Sequence, residues 1–293
     1  MGHLSKTVKI IDCNPEPCRH KPRFLLSDGM MPAHETSFHQ SYVENAFIPS
    51  NTWRKPTSLE ENVMSLQDGE ELPAYSQYVG IFKVTDSMLS PFENMGVSFA
   101  VTQQDCHFLW SQKGYRQAIE NLNSQLSPFI LSARNYKVHP LTVNAPGLRT
   151  VTYNREIRKY IGLHLDSWDK LPLSKRHTGT NRICLNLGFE DRYFLFVDLT
   201  LLEIAQRIDS QCPVSRKISA ASKSEWVRQQ FFKQYPKYPM VKVRVAPGEA
   251  YIAPTESIIH DGCTLGKKFA DVILTIRGHL KLPSSLLPRK VLI

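Results

Sequence analysis

The chain contains no Cys-x-x-Cys pair, no Gly-x-Ser-x-Gly, no phosphate-binding P-loop and no Gly-x-Gly-x-x-Gly run. These absences remove the usual signatures of a dithiol redox protein, a serine hydrolase of the α/β type, and a nucleotide- or dinucleotide-binding enzyme. Its six cysteines, Cys13, Cys18, Cys106, Cys184, Cys212 and Cys263, are scattered over 293 residues. Free thiols are therefore expected, not the disulfide frame of a small secreted domain. Cys13, Cys18 and His20 have no second ligand pair at zinc-site spacing. "HETSFH" (34–39) falls short of a zincin motif, because its two histidines are five apart and point about 140° apart on a helix. No apolar run is long enough to span a bilayer. The opening "MGHLSKTVKIIDCNPEP" lacks the apolar segment of a signal peptide, and Lys6 breaks the myristoylation pattern that Gly2 begins. The expectation is a cytoplasmic protein with no membrane partner.

The hydrophobic content, 42%, is ordinary for a globular chain, but the charge is unevenly spread. Residues 1–100 carry 8 Lys/Arg against 12 Asp/Glu, a net −4 in a chain whose total is +9, so the remainder is +13. The densest basic stretch, 207–244, has Arg207, Arg216, Lys217, Lys223, Arg228, Lys233, Lys237, Lys242 and Arg244 against only Asp209 and Glu225. Such a stretch is a solvated helix face or a contact for an anion. No nucleic-acid-binding motif accompanies it, so a small anionic molecule is the expected partner.

Residues 12–75 are rich in Pro, Ser, Asn and His and read as loops and short helices wrapped around a core. "YSQYVGIFKV" (75–84) reads as a strand. "GYRQAIENLNSQL" (114–126) reads as a helix, with Ile119, Leu122 and Leu126 on one face and Pro128 as its stop. From about 148 the pattern becomes one of short strands: 148–154, 157–166, 181–188, 192–199, then 241–246, 249–254, 257–260 and 269–278. A helical insert over about 200–240 separates the fourth from the fifth. Eight strands at this spacing predict a mostly β fold with flanking helices, a sandwich or jelly roll. An N-terminal flanking region, 1–147, is expected to pack on the 148–293 core as one integrated catalytic domain.

Within that pattern "YIGLHLDSWD" (160–169) stands out. Residues two apart on a strand share a face, so His164 and Asp166 project together. "SIIHDG" adds His260 at the end of another apolar run, just before a turn. Two imidazoles and one carboxylate with open positions are the donor set expected for non-heme iron. Arg277 sits inside the last apolar run, "DVILTIRG", where its fork suits a carboxylate and where burial without a partner would be costly.

In the order His164-x-Asp166, helical insert, His260, Arg277, residues 148–280 resemble the Fe(II)/2-oxoglutarate-dependent dioxygenases. The resemblance implies a double-stranded β-helix (a cupin-like jelly roll), with His164 and Asp166 on its second strand, His260 on its seventh and Arg277 on its eighth. It implies Fe(II) held by His164, Asp166 and His260, and 2-oxoglutarate as cosubstrate anchored by Arg277. Thr275 lies on the same face as Arg277, and Asn181 is a further candidate. Where many family members have a hydroxyl two residues after the arginine, this chain has His279, and Lys267 and Lys268 are alternative carboxylate partners. The implied reaction consumes dioxygen and hydroxylates, or alternatively desaturates or cyclises, a small molecule such as an amino acid or a specialised-metabolite intermediate in biosynthesis. Because Asp166 is a carboxylate, no ligand position is left open for chloride. Trp168, Arg176 and His177, in the loop that follows the ligand pair, are the substrate-contact candidates. The rival reading is a cupin-like metal- or ligand-binding protein without 2-oxoglutarate chemistry, with its basic insert facing a nucleic acid. Whether Arg277 points inward or to solvent separates the two.

Overall fold

The computed structural model describes residues 8–14, 21–36, 40–67, 69–209 and 220–287. Cys18, His20, His39, Cys212, Arg216 and Lys217 lie outside them, as do the side chains of 220–223. Strands are numbered β1–β16 in chain order. Two sheets face each other. The first runs β1 (Lys9–Asp12), β6 (Tyr78–Lys83), β14 (Glu249–Ala253), β11 (Asn181–Asn186), β16 (Asp271–Leu280), β7 (Ile130–Val138), with β8 (Thr142–Asn144) also on β16. The second runs β15 (Ile258–Cys263), β12 (Arg192–Thr200), β13 (Val241–Val245), β2 (Phe24–Ser27), β5 (Trp53–Arg54), and His164 is bridged to His260 at its β15 edge. All pairings in the two sheets are antiparallel except β1 with β6. This is a jelly roll of the double-stranded β-helix type, its opposed sheets joined by strands that alternate between them.

The alternation of side chains explains the layering. Ile183 and Leu185 of β11 and Leu274 and Ile276 of β16 point away from the second sheet. They pack under α2 (Asp86–Asn94), α3 (Gln103–Ser111) and α4 (Lys113–Gln125), with Phe92, Leu122 and Leu126 in the same cluster. Leu195, Val197 and Leu199 of β12 face the other way, against α5 (Leu201–Asp209) and α6 (Ala220–Gln234), through Ile204, Ile208, Val227 and Phe231. Both faces of these strands are thus covered, which is why "RYFLFVDL" reads as a nearly continuous apolar run. Between the sheets, Phe194, Phe196, Val241, Val243 and Ile258 fill part of the interior. Another part is polar and holds the site. A seven-residue helix, α1 (Ser58–Met64), two small hairpins, β3 (Met30–Pro32) with β4 (Phe47–Pro49) and β9 (Tyr153–Asn154) with β10 (Lys159–Tyr160), and five short 3-10 turns complete the described elements.

The structure departs from the sequence reading in three places. The run 148–154, expected as a strand, is strand only at Tyr153–Asn154, and β16 is flanked instead by β7 and β8. The segment expected as a second strand, 157–166, reduces to β10 and one bridge at His164. Asn154 Oδ1 accepts the amides of Glu156 and Ile157 in a turn, and Arg158 and Gly162 take positive φ of 54° and 71°, so regular pairing cannot run through. Within 12–75, expected as loops and short helices, Phe24–Ser27 is a strand of the second sheet.

The basic stretch is not one solvated face. Arg228, Lys242 and Arg244 are buried: Arg228 pairs with Glu225, Arg244 with Asp191, and Lys242 lies over the rings of Tyr193 and Trp53. Cys13, Cys106, Cys184 and Cys263 are free thiols. Among the described residues no helix is long and apolar enough to cross a membrane.

Candidate active site

His164 and His260 are brought together by the backbone. Each donates its amide to the other's carbonyl, at 3.0 and 2.8 Å, so they are a directly opposed antiparallel pair. Side chains of such a pair project to the same side, and the rings lie 4.6 Å apart. Asp166, two residues on, completes a group of three whose ligand atoms lie within 4.8 Å of one another. Its Oδ1 is 3.9 Å from His164 Nε2, and its Oδ2 is 3.9 Å from His260 Nε2.

Both rings are oriented by backbone carbonyls. His164 Nδ1 donates to Gly162 O at 2.9 Å and His260 Nδ1 to Ile258 O at 3.1 Å. That fixes the tautomer with Nε2 as the lone-pair atom facing the carboxylate. His260 Nε2 is buried and has no hydrogen-bond partner among the described residues. A buried acceptor without a donor is costly, and a cation between the three side chains would satisfy it. The donor set, two neutral imidazoles and one carboxylate, fits a divalent transition metal with open positions.

The electrostatics favour this donor set at His260 and Asp166, while at His164 they favour a proton that ligation would displace. Burial, reinforced by His164 and Arg182, pushes the His260 imidazole down to about 3, so it is neutral. Burial alone would raise Asp166, but Arg182, His260 and His164 hold its carboxyl well below the usual range. Burial opposes charge on His164 too, yet Asp261, whose Oδ2 is 3.5 Å from Nδ1, raises it. Asp261 is itself fixed: its Oδ1 accepts from the amides of Val151, Thr152 and Gly262 and from the Thr152 hydroxyl.

Beside His260 lies a cavity of about 400 Å³ lined by Arg182, Cys184, Arg192, Tyr251, Thr275 and Arg277 among others. Arg277 faces inward, and its Nε and Nη1 are buried without a hydrogen-bond acceptor among the described residues. Thr275 lines the same wall, its hydroxyl 3.8 Å from Cys184 Sγ. Trp168 is at the rim, with the Arg277 guanidinium 5.3 Å from its ring centre.

Three of the candidate residues lie outside the cavity lining. Asn181 is adjacent to the inward-facing Arg182 and so points the other way; both ends of its amide are used by the Leu280 backbone. Arg176 is not part of this cavity's lining: its side chain is 2% exposed, and Nη1 donates to Glu256 Oε2 and to the carbonyl of Asp166, both at 2.6 Å. His177 is exposed on the 3-10 turn Leu173–Thr178 and does not line the cavity. Of the alternative cations, Lys267 is committed to Asp271 at 3.0 Å, and Lys268 is exposed and outside the lining.

Sequence reasoning missed Arg182, Arg192, Asp261 and Glu256. Arg182 Nη2 donates to Asp166 Oδ2 at 2.6 Å. The signal for it was present: in "NRICLN" an arginine alternates with a cysteine on one face, opposite isoleucine and leucine on the other. Asp261 directly follows His260, but nothing local shows that it reaches His164.

No family model matches the chain, and no curated protein matches it. Among solved structures it is similar to the apo form of the Kdo hydroxylase KdoO, a non-heme Fe(II) alphaketoglutarate-dependent dioxygenase, at 13% identity over 74% of this chain and 83% of that one, with a TM-score of 0.42. The cobalt(II) complex of that enzyme gives 12% identity and 0.41 over the same shares. Its complex with alphaketoglutarate and Fe(III) gives 14% and 0.41, again over 74% and 83%. At these scores the fold and the site rest on this chain's own strand pairing and geometry.

Proposed function

We propose that this protein is a non-heme Fe(II)/2-oxoglutarate-dependent oxygenase that hydroxylates a small molecule. The observation that carries the reading is the group His164, Asp166 and His260, its imidazoles presenting Nε2 to one carboxylate, beside a cavity walled by arginines. Fe(II) bound there supplies dioxygen activation coupled to oxidative decarboxylation of 2-oxoglutarate. The chain's own residues do the rest. Gly162 O and Ile258 O hold the two imidazoles in the ligating tautomer. Arg182 holds Asp166 Oδ2, which leaves Oδ1 for the metal. An inward-facing arginine takes the far carboxylate of the cosubstrate.

In this reading the N-terminal region and the core from 148 work as one catalytic unit, because β1, β2, β6, β7 and β8 are strands of the same two sheets. The inward position of Arg277 supports the oxygenase over the rival jelly-roll binding protein, for which a solvent-facing arginine is expected. A nucleic-acid face on the basic stretch is less supported, because Arg228, Lys242 and Arg244 are buried, and Arg228 and Arg244 are paired with Glu225 and Asp191.

The test is anaerobic addition of Fe(II) and 2-oxoglutarate to the purified protein, watching for a visible metal-to-ligand charge-transfer band. The band is expected in the wild type and absent in His164→Ala. No band in the wild type, together with no succinate formed over a panel of small-molecule acids, sinks the proposal.

A further inference from the structure

We propose that the substrate is itself a carboxylate, held at the cavity rim by Arg277 beside Trp168 and His139, while the cosubstrate's far carboxylate takes the deeper Arg192. The inference rests on the oxygenase reading and assigns the two ends of its cavity.

The register of β11 and β16 sets the levels. Arg182 is opposite Arg277, and Cys184 is opposite Thr275. Two residues along a strand are about 6.6 Å, so these are two rungs of one wall. The upper rung is level with the metal group, because Arg182 touches Asp166. Around its other arginine, Arg277, stand the cavity-lining Trp168, 56% exposed, and His139, whose imidazole burial and the charges of Arg182, Lys137 and Arg277 push down to about 4. The imidazole is therefore neutral and adds a hydrogen-bonding group without a second charge. The lower rung is formed by Cys184 and Thr275, with Tyr251 opposite Cys184 on β14. Arg192 reaches it from the facing sheet, donating Nη1 to Cys184 Sγ at 2.7 Å. The Arg192 side chain is 2% exposed against 17% for Arg277, so Arg192 is the deeper cation.

Each rung holds a cation that its local acids satisfy only by sharing or at long range. At the lower, Arg192 and Lys267 share the single carboxylate of Asp271. At the upper, Arg182 is matched by Asp166. Arg277 has only Asp169, whose Oδ1 is 4.0 Å away and whose Oδ2 accepts from the amide and hydroxyl of Thr180. Two like charges directly across neighbouring strands, Arg182 and Arg277, are unfavourable unless an anion joins them. A keto diacid that chelates the metal through its keto-acid end has one carboxylate left, so it serves the cation of one rung only. It binds beneath the substrate and takes the deeper place. The rim arginine remains for an anionic group that arrives with the substrate. The cavity, about 400 Å³, is larger than a five-carbon diacid fills. Tyr153, Tyr160 and Trp168 on its lining offer ring surfaces to the body of such a molecule.

The test uses the full chain, anaerobic with Fe(II) and saturating 2-oxoglutarate, titrated with benzoate while tryptophan fluorescence is followed; Trp168→Phe identifies the signal, and benzyl alcohol is the uncharged control. Benzoate is expected to quench and benzyl alcohol not to. Arg277→Gln should weaken benzoate about tenfold or more and leave 2-oxoglutarate affinity, read from the charge-transfer band, within about threefold. Arg192→Lys, which keeps the buried charge but shortens its reach, should do the reverse. If Arg277→Gln weakens 2-oxoglutarate and spares benzoate, or if benzoate binds no better than benzyl alcohol, the assignment is overturned. Arg277-dependent benzoate binding without any charge-transfer band would instead overturn the oxygenase reading and leave the rim anion site standing.

Discussion

Replacing Arg176 by leucine should unfold the metal loop before it touches substrate recognition. The Arg176 and Glu256 side chains are each 2% exposed, and their closest contact is 2.6 Å. Glu256 is the hub: Oε2 takes Arg176, and Oε1 accepts the backbone amides of Trp168 at 2.6 Å and Asp169 at 3.2 Å. The same Arg176 nitrogen donates to the carbonyl of the metal-group residue Asp166. Burial already raises the Glu256 carboxyl, although the Asp169 amide and Arg176 oppose it. Arg176→Leu leaves that carboxylate buried without its cation and the Asp166 carbonyl without its donor. Breaking a buried pair from one side costs about 3–5 kcal/mol, a large share of a total stability on the order of 5–15 kcal/mol. Urea denaturation should show the loss as a lower midpoint at unchanged slope. Adding Glu256→Gln removes the stranded charge while keeping an acceptor for the two amides, so the double variant should recover at least about 1 kcal/mol. Cobalt(II) affinity of the folded Arg176→Leu protein should fall about tenfold, because the segment carrying Asp166 is no longer clamped. A variant within about 0.5 kcal/mol of wild type, altered only in KM for substrate, would refute the structural role and restore Arg176 as a substrate contact.

Three further outcomes follow from single contacts. Asp261→Asn keeps an oxygen for the four donors on Oδ1 but turns an amide toward His164 Nδ1; stability should hold, while cobalt(II) affinity by calorimetry drops about 10–100-fold. Gly162 has φ 71°, and a Cβ there would sit 2.5 Å from Phe47 O. Gly162→Ala should therefore cost on the order of 1–3 kcal/mol and weaken metal binding as well, since the Gly162 carbonyl orients His164; a stable variant with intact affinity would be inconsistent with that. The hydrogen bond from Arg54, with help from the Thr57 cap, holds the Glu60 carboxyl down to about 2. A depressed acid stabilises the fold above its unfolded value and loses that contribution as pH falls. Glu60→Gln should cost about 1 kcal/mol or less at pH 7, given the 44% exposure of Arg54, and the cost should fade in melts taken toward pH 2.

What was legible in the sequence was legible because its cause is local. The runs 181–188, 192–199, 241–246 and 269–278 carry their own alternation, and each is a strand within a residue or two of its expected limits. The first two strands of the core were not, for opposite reasons. "IRKYIGLHLD" looks like a strand, yet left-handed Arg158 and Gly162 interrupt it, and "LRTVTYN" pairs as a strand only at Tyr153–Asn154, in a two-residue hairpin with Lys159–Tyr160. "ILSARNYKV" is largely exposed and reads as polar, yet it pairs with β16 through its backbone. The site divides along the same line. His164 and Asp166 share a face whatever else the chain does, whereas the burial of Arg176 depends on Glu256, far along the sequence. A lone arginine in an apolar run says only that some negative charge must meet it. For Arg192 the chain provides one, Asp271, shared with Lys267. For Arg277 it provides none within hydrogen-bonding distance among the described residues. Two arginines that look alike in sequence thus differ in what the fold leaves unmet, and the unmet one is where an anionic ligand gains most, because its guanidinium is already desolvated and held.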